Sequence, residues 1–111
     1  MKHSNCIITI IIFILLLSGC SSQKPVSGKS EIVQNVINSN IIGGNINITV
    51  YLPAGYGSGE KYPVLYTLHG ASGGEWSWFE ELNAGSCADR LMSSNRIKPM
   101  IIVSTKTLNN L

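Results

Sequence analysis

Histidine is scarce in this sequence: only His3 and His69 occur. Cysteine appears three times, at positions 6, 20 and 87, and charged residues make up 13% of the chain. Each shortage removes a class of chemistry. Setting aside Lys2, which lies in a leader-like start, leaves seven basic residues against six acidic ones, dispersed along the chain. No basic stripe is left to follow a phosphate backbone, so no nucleic-acid partner is expected. The glycine-rich stretch at 70–74 has neither the lysine of a phosphate-binding loop nor GxGxxG spacing. Glu75, Glu80 and Glu81 have no histidine or aspartate beside them. They read as a solvated loop and helix start, not as a metal or general-acid cluster. No metal and no cofactor is expected, and no internal repeat is visible.

A membrane-spanning run is also missing. Residues 7–17, IITIIIFILLL, are apolar except for Thr9, about half the roughly 20 residues a spanning helix needs. A basic start at Met1-Lys2-His3, a short apolar core and small residues after it form the layout of a signal peptide. Leu17-Ser18-Gly19-Cys20 looks like a bacterial lipobox, in which Cys20 is lipidated and becomes the new N-terminus. The expectation is a signal peptide over 1–19, a lipidated Cys20 with a flexible tether over 20–30, and a folded domain over 31–111. The protein would be exported and held to the bacterial cell membrane by its lipid, several acyl chains being needed for a stable anchor. With Cys6 lost and Cys20 lipidated, Cys87 is the remaining thiol, so no disulfide framework forms despite export. Cys87 is expected to be a small buried apolar residue.

Residues 21–30, SSQKPVSGKS, have the composition of a tether. In EIVQNVIN at 31–38 the apolar spacing also suits a short helix, but β-branched content and the following NSNIIGG favour a strand and turn. NINITVYL at 45–52 alternates, with Ile46, Ile48, Val50 and Leu52 on one face of a half-buried strand antiparallel to its predecessor. The glycosylation triplet Asn47-Ile48-Thr49 is read as chance. Residues 53–62, PAGYGSGEKY, form a loop that delivers the chain to PVLYTL at 63–68. That run is mostly apolar, as in the interior of a parallel sheet, with Pro63 fitting only at its start. Ala84, Ala88, Leu91 and Met92 recur at helical spacing over 83–94, with Cys87 on the same stripe. Ser86 with Asp89 resembles a capping box, and Asn95 is a stop. PMIIVS at 99–104 is another buried strand. Strand, loop, helix and strand make a βαβ unit.

Gly70-Ala71-Ser72-Gly73-Gly74 fits G-x-S-x-G, the pattern of a serine nucleophile on a tight turn. It raises the question of whether Ser72 is catalytic. His69, three residues earlier on the same tight loop, is a poor general base for it, and no histidine follows.

VYLPAGYGSGEKYPVLYTLHGASGGEWSWF, then a helix, then IKPMIIV, resembles the N-terminal portion of the putative-esterase family over residues 46–103. That family holds feruloyl and acetylxylan esterases and esterase D-like enzymes. The resemblance implies the first part of an α/β-hydrolase sheet, an antiparallel hairpin followed by a βαβ unit; the LHG strand lies near the sheet centre in the complete enzymes, and without the strand that carries the nucleophile Val64 to Leu68 would present an apolar open edge. In such enzymes the loop after HG supplies one N–H of the oxyanion hole. Carried over, the donor is the Ala71 N–H, with His69 and Gly70 shaping the loop. Ser72 is then not the nucleophile, because the family's serine, acid and base histidine lie later, beyond Leu111. The implied parent activity is hydrolysis of carbohydrate-linked esters, with a plant cell-wall polysaccharide ester as partner. The resemblance also implies that this chain is a truncated, inactive form. Two other readings stay open: a non-catalytic surface lipoprotein that binds glycans through Trp76 and Trp78, and a non-functional gene remnant. Trp76, Trp78 and Phe79 are expected to pack the lid of the core before they serve as sugar contacts.

Overall fold

The computed structural model describes residues 28–106. The expected signal peptide, Cys20 and most of the tether fall outside them. Strand β1 (Glu31–Ser39) and strand β2 (Gly44–Leu52) pair antiparallel, from Glu31 opposite Leu52 to Ser39 opposite Gly44. β-Branched residues suit this pleated, half-buried surface. The reversal is closed by Gly43 N–H on the Ser39 carbonyl at 2.9 Å, with Gly43 at φ 74°. That left-handed backbone is one that glycine adopts without steric cost.

Strand β3 (Val64–Leu68), helix α1 (Ser77–Glu80), helix α2 (Ala84–Ser93) and strand β4 (Ile101–Thr105) follow. The strand order is β1-β2-β4-β3. β4 therefore inserts between its predecessors, antiparallel to β2 and parallel to β3. Adjacent parallel strands joined through helices are the expected βαβ unit.

α2 lies over one face of the sheet. A Cβ placed on Gly85 would stand 3.0 Å from Ile32 Cδ1 and 3.6 Å from the Tyr51 ring, so glycine lets the helix approach the hairpin. Tyr51, Phe79, Ala88 and Ile102 form the buried core, with Trp78, Ala84, Met92 and Met100 packed on it. Tyr51 O–H donates to Asp89 at 2.7 Å, and Ser30 O–H donates to the other oxygen of that carboxylate at 2.8 Å. One side chain on α2 thus ties both the hairpin and the segment preceding it.

The structure corrects several expectations. Ile46, Ile48, Val50 and Leu52 do share a half-buried face, but the fully buried residues of β2 are Thr49 and Tyr51 on the opposite face, beneath α2. The hydroxyls of Thr49 and Ser104 sit opposite one another in register there, buried without a partner among the described residues. The apolar edge expected at Val64 to Leu68 does form: β3 is an edge strand among the described residues, with Tyr66 69% and Leu68 64% exposed. Ser86 and Asp89 do not form a capping box. The helix begins at Ala84 after Asn83, which takes left-handed backbone without a side-chain cap, and Asp89 is engaged by Tyr51 and Ser30. Cys87 is exposed, because the buried stripe of α2 runs through Gly85 and Ala88. The stop at Asn95 does form. Asn95 is left-handed at φ 54°, its N–H reaches the Met92 carbonyl at 3.0 Å, and Arg96 N–H reaches Leu91 at 2.9 Å. Those two bonds make a Schellman motif with asparagine in glycine's usual place.

Candidate functional site

In an open α/β sheet, ligands meet the crevice beyond the carboxyl ends of the parallel strands. Here that end carries residues 69–76, between β3 and α1. The segment is tightly folded. Gly73 N–H closes a turn on the Gly70 carbonyl at 3.1 Å, and Gly74 N–H donates to Ser77 Oγ at 2.9 Å, inside the fold. Ser77 N–H returns to the Gly74 carbonyl at 3.2 Å. Trp78 Nε1–H donates to the carbonyl of Leu68, the last residue of β3, at 2.9 Å. The loop is thus pinned to both the strand before it and the helix after it.

Steric need for glycine is concentrated at two positions. A Cβ on Gly73 would meet Ser77 Oγ at 2.6 Å and His69 Cβ at 3.2 Å, and one on Gly74 would meet the Trp76 indole at 2.6 Å. Gly70 has open space around it.

His69 is half-buried, and its Nδ1 lies 2.6 Å from the Gly70 carbonyl oxygen. That contact requires the proton on Nδ1. Gly70, Ala71 and Ser72 are exposed at the head of the turn. The N–H groups of Ala71 and Ser72 donate to no acceptor among the described residues. A recess of about 200 Å³ opens beside them, lined in part by His69, Gly70, Ser72, Trp78 and Glu81. Ala71 and Trp76 are not among its lining residues. Of the two tryptophans, then, Trp78 reaches the recess while also packing on the core, and Trp76 covers Gly74. Phe79 is buried in the core.

Glu75, Glu80 and Glu81 do not converge. Glu81 borders this recess, and Glu75 borders a second one of about 160 Å³ against the hairpin. Among the described residues, no three acidic, histidine or cysteine side chains gather as metal ligands. Sequence reasoning missed Ser77, whose hydroxyl stands in for the backbone acceptor that Gly74 N–H otherwise lacks. A serine three residues after a glycine pair is a weak signal of that role. It also missed the second recess, which depends on strand register.

A hairpin laid antiparallel on a βαβ unit, with its loop at the carboxyl end of β3, is the N-terminal part of an α/β-hydrolase sheet. The chain belongs to the esterase family whose model, described as putative esterase, matches residues 39–108. Relatives agree. The endo-1,4-beta-xylanase/feruloyl esterase of Xylanibacter ruminicola is 44% identical over 66 residues, 55% of this chain and 9% of that protein. A solved ferulic acid esterase matches with TM-score 0.69 and 31% identity over 73% of this chain and 31% of its own. A ferulic acid esterase from Anaeromyces mucronatus, solved with ferulic acid, matches with TM-score 0.64 and 28% identity over 77% of this chain and 31% of its own. The chain thus spans 31% of each of these two solved esterases and 9% of the Xylanibacter relative.

Proposed function

We propose that residues 69–73 are the oxyanion-hole loop of a feruloyl-type carboxylic-ester hydrolase that acts on carbohydrate-linked esters. The observation that carries this reading is the turn from Gly70 to Gly73, which leaves the Ala71 N–H without an acceptor among the described residues at the carboxyl end of β3. A fixed N–H at that place stabilises the negative charge that develops on the ester carbonyl oxygen in the transition state. Such a donor is worth about 3–4 kcal/mol of barrier. His69 and Gly70 shape the loop: the imidazole bonds the Gly70 carbonyl and holds the peptide that precedes Ala71. Trp78 offers an aromatic wall to the acyl group. The xylanase and feruloyl esterase names of the relatives support a polysaccharide ester from plant cell walls as substrate.

Ser72 is not the nucleophile in this reading. It is exposed at the turn, and the 111 residues contain no histidine after His69. A polypeptide of these residues alone therefore has an oxyanion donor without the family's nucleophilic serine and that serine's acid and base histidine, and hydrolyses esters no faster than buffer. Lipidation at Cys20 would hold it to the exterior of the cell membrane. The test is turnover of p-nitrophenyl acetate and methyl ferulate by the purified chain and by Ser72→Ala. No turnover by either is expected. Turnover that disappears in Ser72→Ala would overturn the assignment, because the loop would then carry the nucleophile.

A further inference from the structure

Charges that are dispersed along the sequence are sorted by the fold. β1 and β4 both run antiparallel to β2, and β3 runs parallel to β4. Strands β1, β3 and β4 therefore all start at one end of the sheet, opposite the end that carries the 69–76 loop. Three segments meet at the starting end: residues 28–30 before β1, residues 53–63 between β2 and β3, and residues 94–100 between α2 and β4. They carry Lys29, Lys61, Arg96 and Lys98, all exposed, against Glu60 alone, with Glu31 beside them as the first residue of β1. At the other end Glu75, Glu80 and Glu81 stand against Lys106. Among the described residues, one end is thus basic and the other acidic.

The basic residues of the starting end are not spent on the fold. Lys29, Lys61, Arg96 and Lys98 make no ion pair and no side-chain hydrogen bond with a described residue. A surface whose charge serves solubility alone intersperses both signs, whereas one prevailing sign presents a field to a partner of the other sign. Tyrosine accompanies the charge. Tyr56 is 53% exposed, its ring lies 6.0 Å from that of Tyr62, and Tyr62 O–H donates to the Gly55 carbonyl at 3.1 Å. A side chain apolar in body and polar at its tip suits the boundary between water and acyl chains.

The segment that leads back to the expected anchor leaves from this same end. Ser30 O–H is held by Asp89 at 2.8 Å. A Cβ on Gly28 would stand 3.3 Å from the Gly55 nitrogen, so the backbone there runs against the 53–63 loop. Gly28 lies eight positions after Cys20, a distance of at most about 29 Å even when fully extended. That is about the diameter of a small domain. A domain held so closely keeps one of its surfaces against the bilayer.

We infer that this surface is the basic end of the sheet, with Lys29, Lys61, Arg96, Lys98 and Tyr56 on the anionic headgroups of the cell membrane and the 69–76 crevice facing outward. The inference rests on the Cys20 anchor of the functional reading and is independent of the ester chemistry. Acyl chains supply the hold. The basic end supplies the orientation, each lysine or arginine near an anionic surface favouring contact about fivefold. The same surface repels the acidic end. An ester borne by a polymer outside the cell then reaches the crevice without approaching the bilayer.

The test places the full chain, as processed by a bacterial host, in lipid nanodiscs with gadolinium-chelating headgroups and reads amide broadening along the sequence. Discs of phosphatidylglycerol with phosphatidylcholine are compared with discs of phosphatidylcholine alone. Broadening is expected at 56–61 and 96–98 but not at 70–76 in the anionic discs, and the contrast fades in neutral discs and at high salt. Lys61→Gln combined with Lys98→Gln should lower the docked-to-undocked ratio about 25-fold, fivefold for each charge removed. Spectra recorded without gadolinium check that this variant keeps the fold. Equal broadening at both ends, stronger broadening at 70–76, or a pattern unchanged in neutral discs or in the variant would overturn the inference. Mass spectrometry of Cys20 separates it from the anchor. An unlipidated chain with the basic-end pattern removes the anchor and leaves the membrane face standing, whereas a lipidated chain without that pattern removes the membrane face alone.

Discussion

At the scale of the residue, the loop at 69–76 depends on particular glycines and not on glycine content. Gly73 is wedged against Ser77 Oγ and His69 Cβ, whereas Gly70 faces open space and takes no positive φ. Gly73→Ala should therefore cost about 1–3 kcal/mol, the usual penalty for forcing an extra methyl into packed surroundings. Gly70→Ala should stay within about 0.5 kcal/mol. Urea denaturation of the two variants decides it, and equal losses would show that the loop is not built around Gly73. The pattern G-x-S-x-G alone weights both glycines equally, and the difference becomes visible only when Ser77 folds back to bond Gly74 N–H. Cys87 teaches the same lesson on a helix. Its position beside an apolar stripe suggested burial, yet one residue of rotation puts it outside, with Ala88 turned in.

At the scale of the element, the hairpin and the helix are joined through one buried phenol. Burial pushes the Tyr51 hydroxyl well above the ordinary tyrosine pKa of 10.0, and the hydrogen bond and negative charge of Asp89 act in the same direction. The folded chain therefore keeps this proton at a pH where the unfolded chain releases it. The stabilisation is fully present below about pH 10 and is lost as pH rises beyond it, at up to about 1.4 kcal/mol per pH unit. Tyr51→Phe should cost about 1 kcal/mol at neutral pH and should flatten the alkaline decline. Urea midpoints between pH 8 and 11.5 measure both effects, and parallel curves for the two chains would contradict the role of Tyr51. The hairpin itself was legible in alternation and turn residues, and the helix end in Asn95. The helix start was not, because Asn83 enters by backbone conformation without a side-chain cap, and no residue type announces that. Asp89 pairs with Tyr51 across 38 positions of sequence, which local pattern does not reach.

At the scale of the whole molecule, the sheet is asymmetric. One face is covered by α2 and the short α1, while Val64, Tyr66 and Leu68 share the other face with Val103 and stay exposed. β3 also forms an open edge, and unpaired apolar edges invite strand addition. Tyr66→Lys should lower self-association of the chain without loss of secondary structure. Sedimentation velocity over a concentration series measures this, and unchanged association would place the contact elsewhere. Composition marked β3 as an interior strand, and its five residues carry that character. Its position at the edge was legible only through the family resemblance, because strand order is not encoded by residue type.

The insertion of β4 between β2 and β3 also has a consequence in time. A ribosome adds about 5–20 residues each second. β2 and β3 are made early, yet neither gains its shared neighbour until the loop, both helices and β4 have emerged. For that interval the nascent chain is a hairpin with an unclaimed flank and a separate extended segment, open to whatever else offers a strand. Docking of β4 from Ile101 to Thr105 gives β2 and β3 their shared neighbour in a single step, so these four strands are joined by the last of them and not built outward from the first.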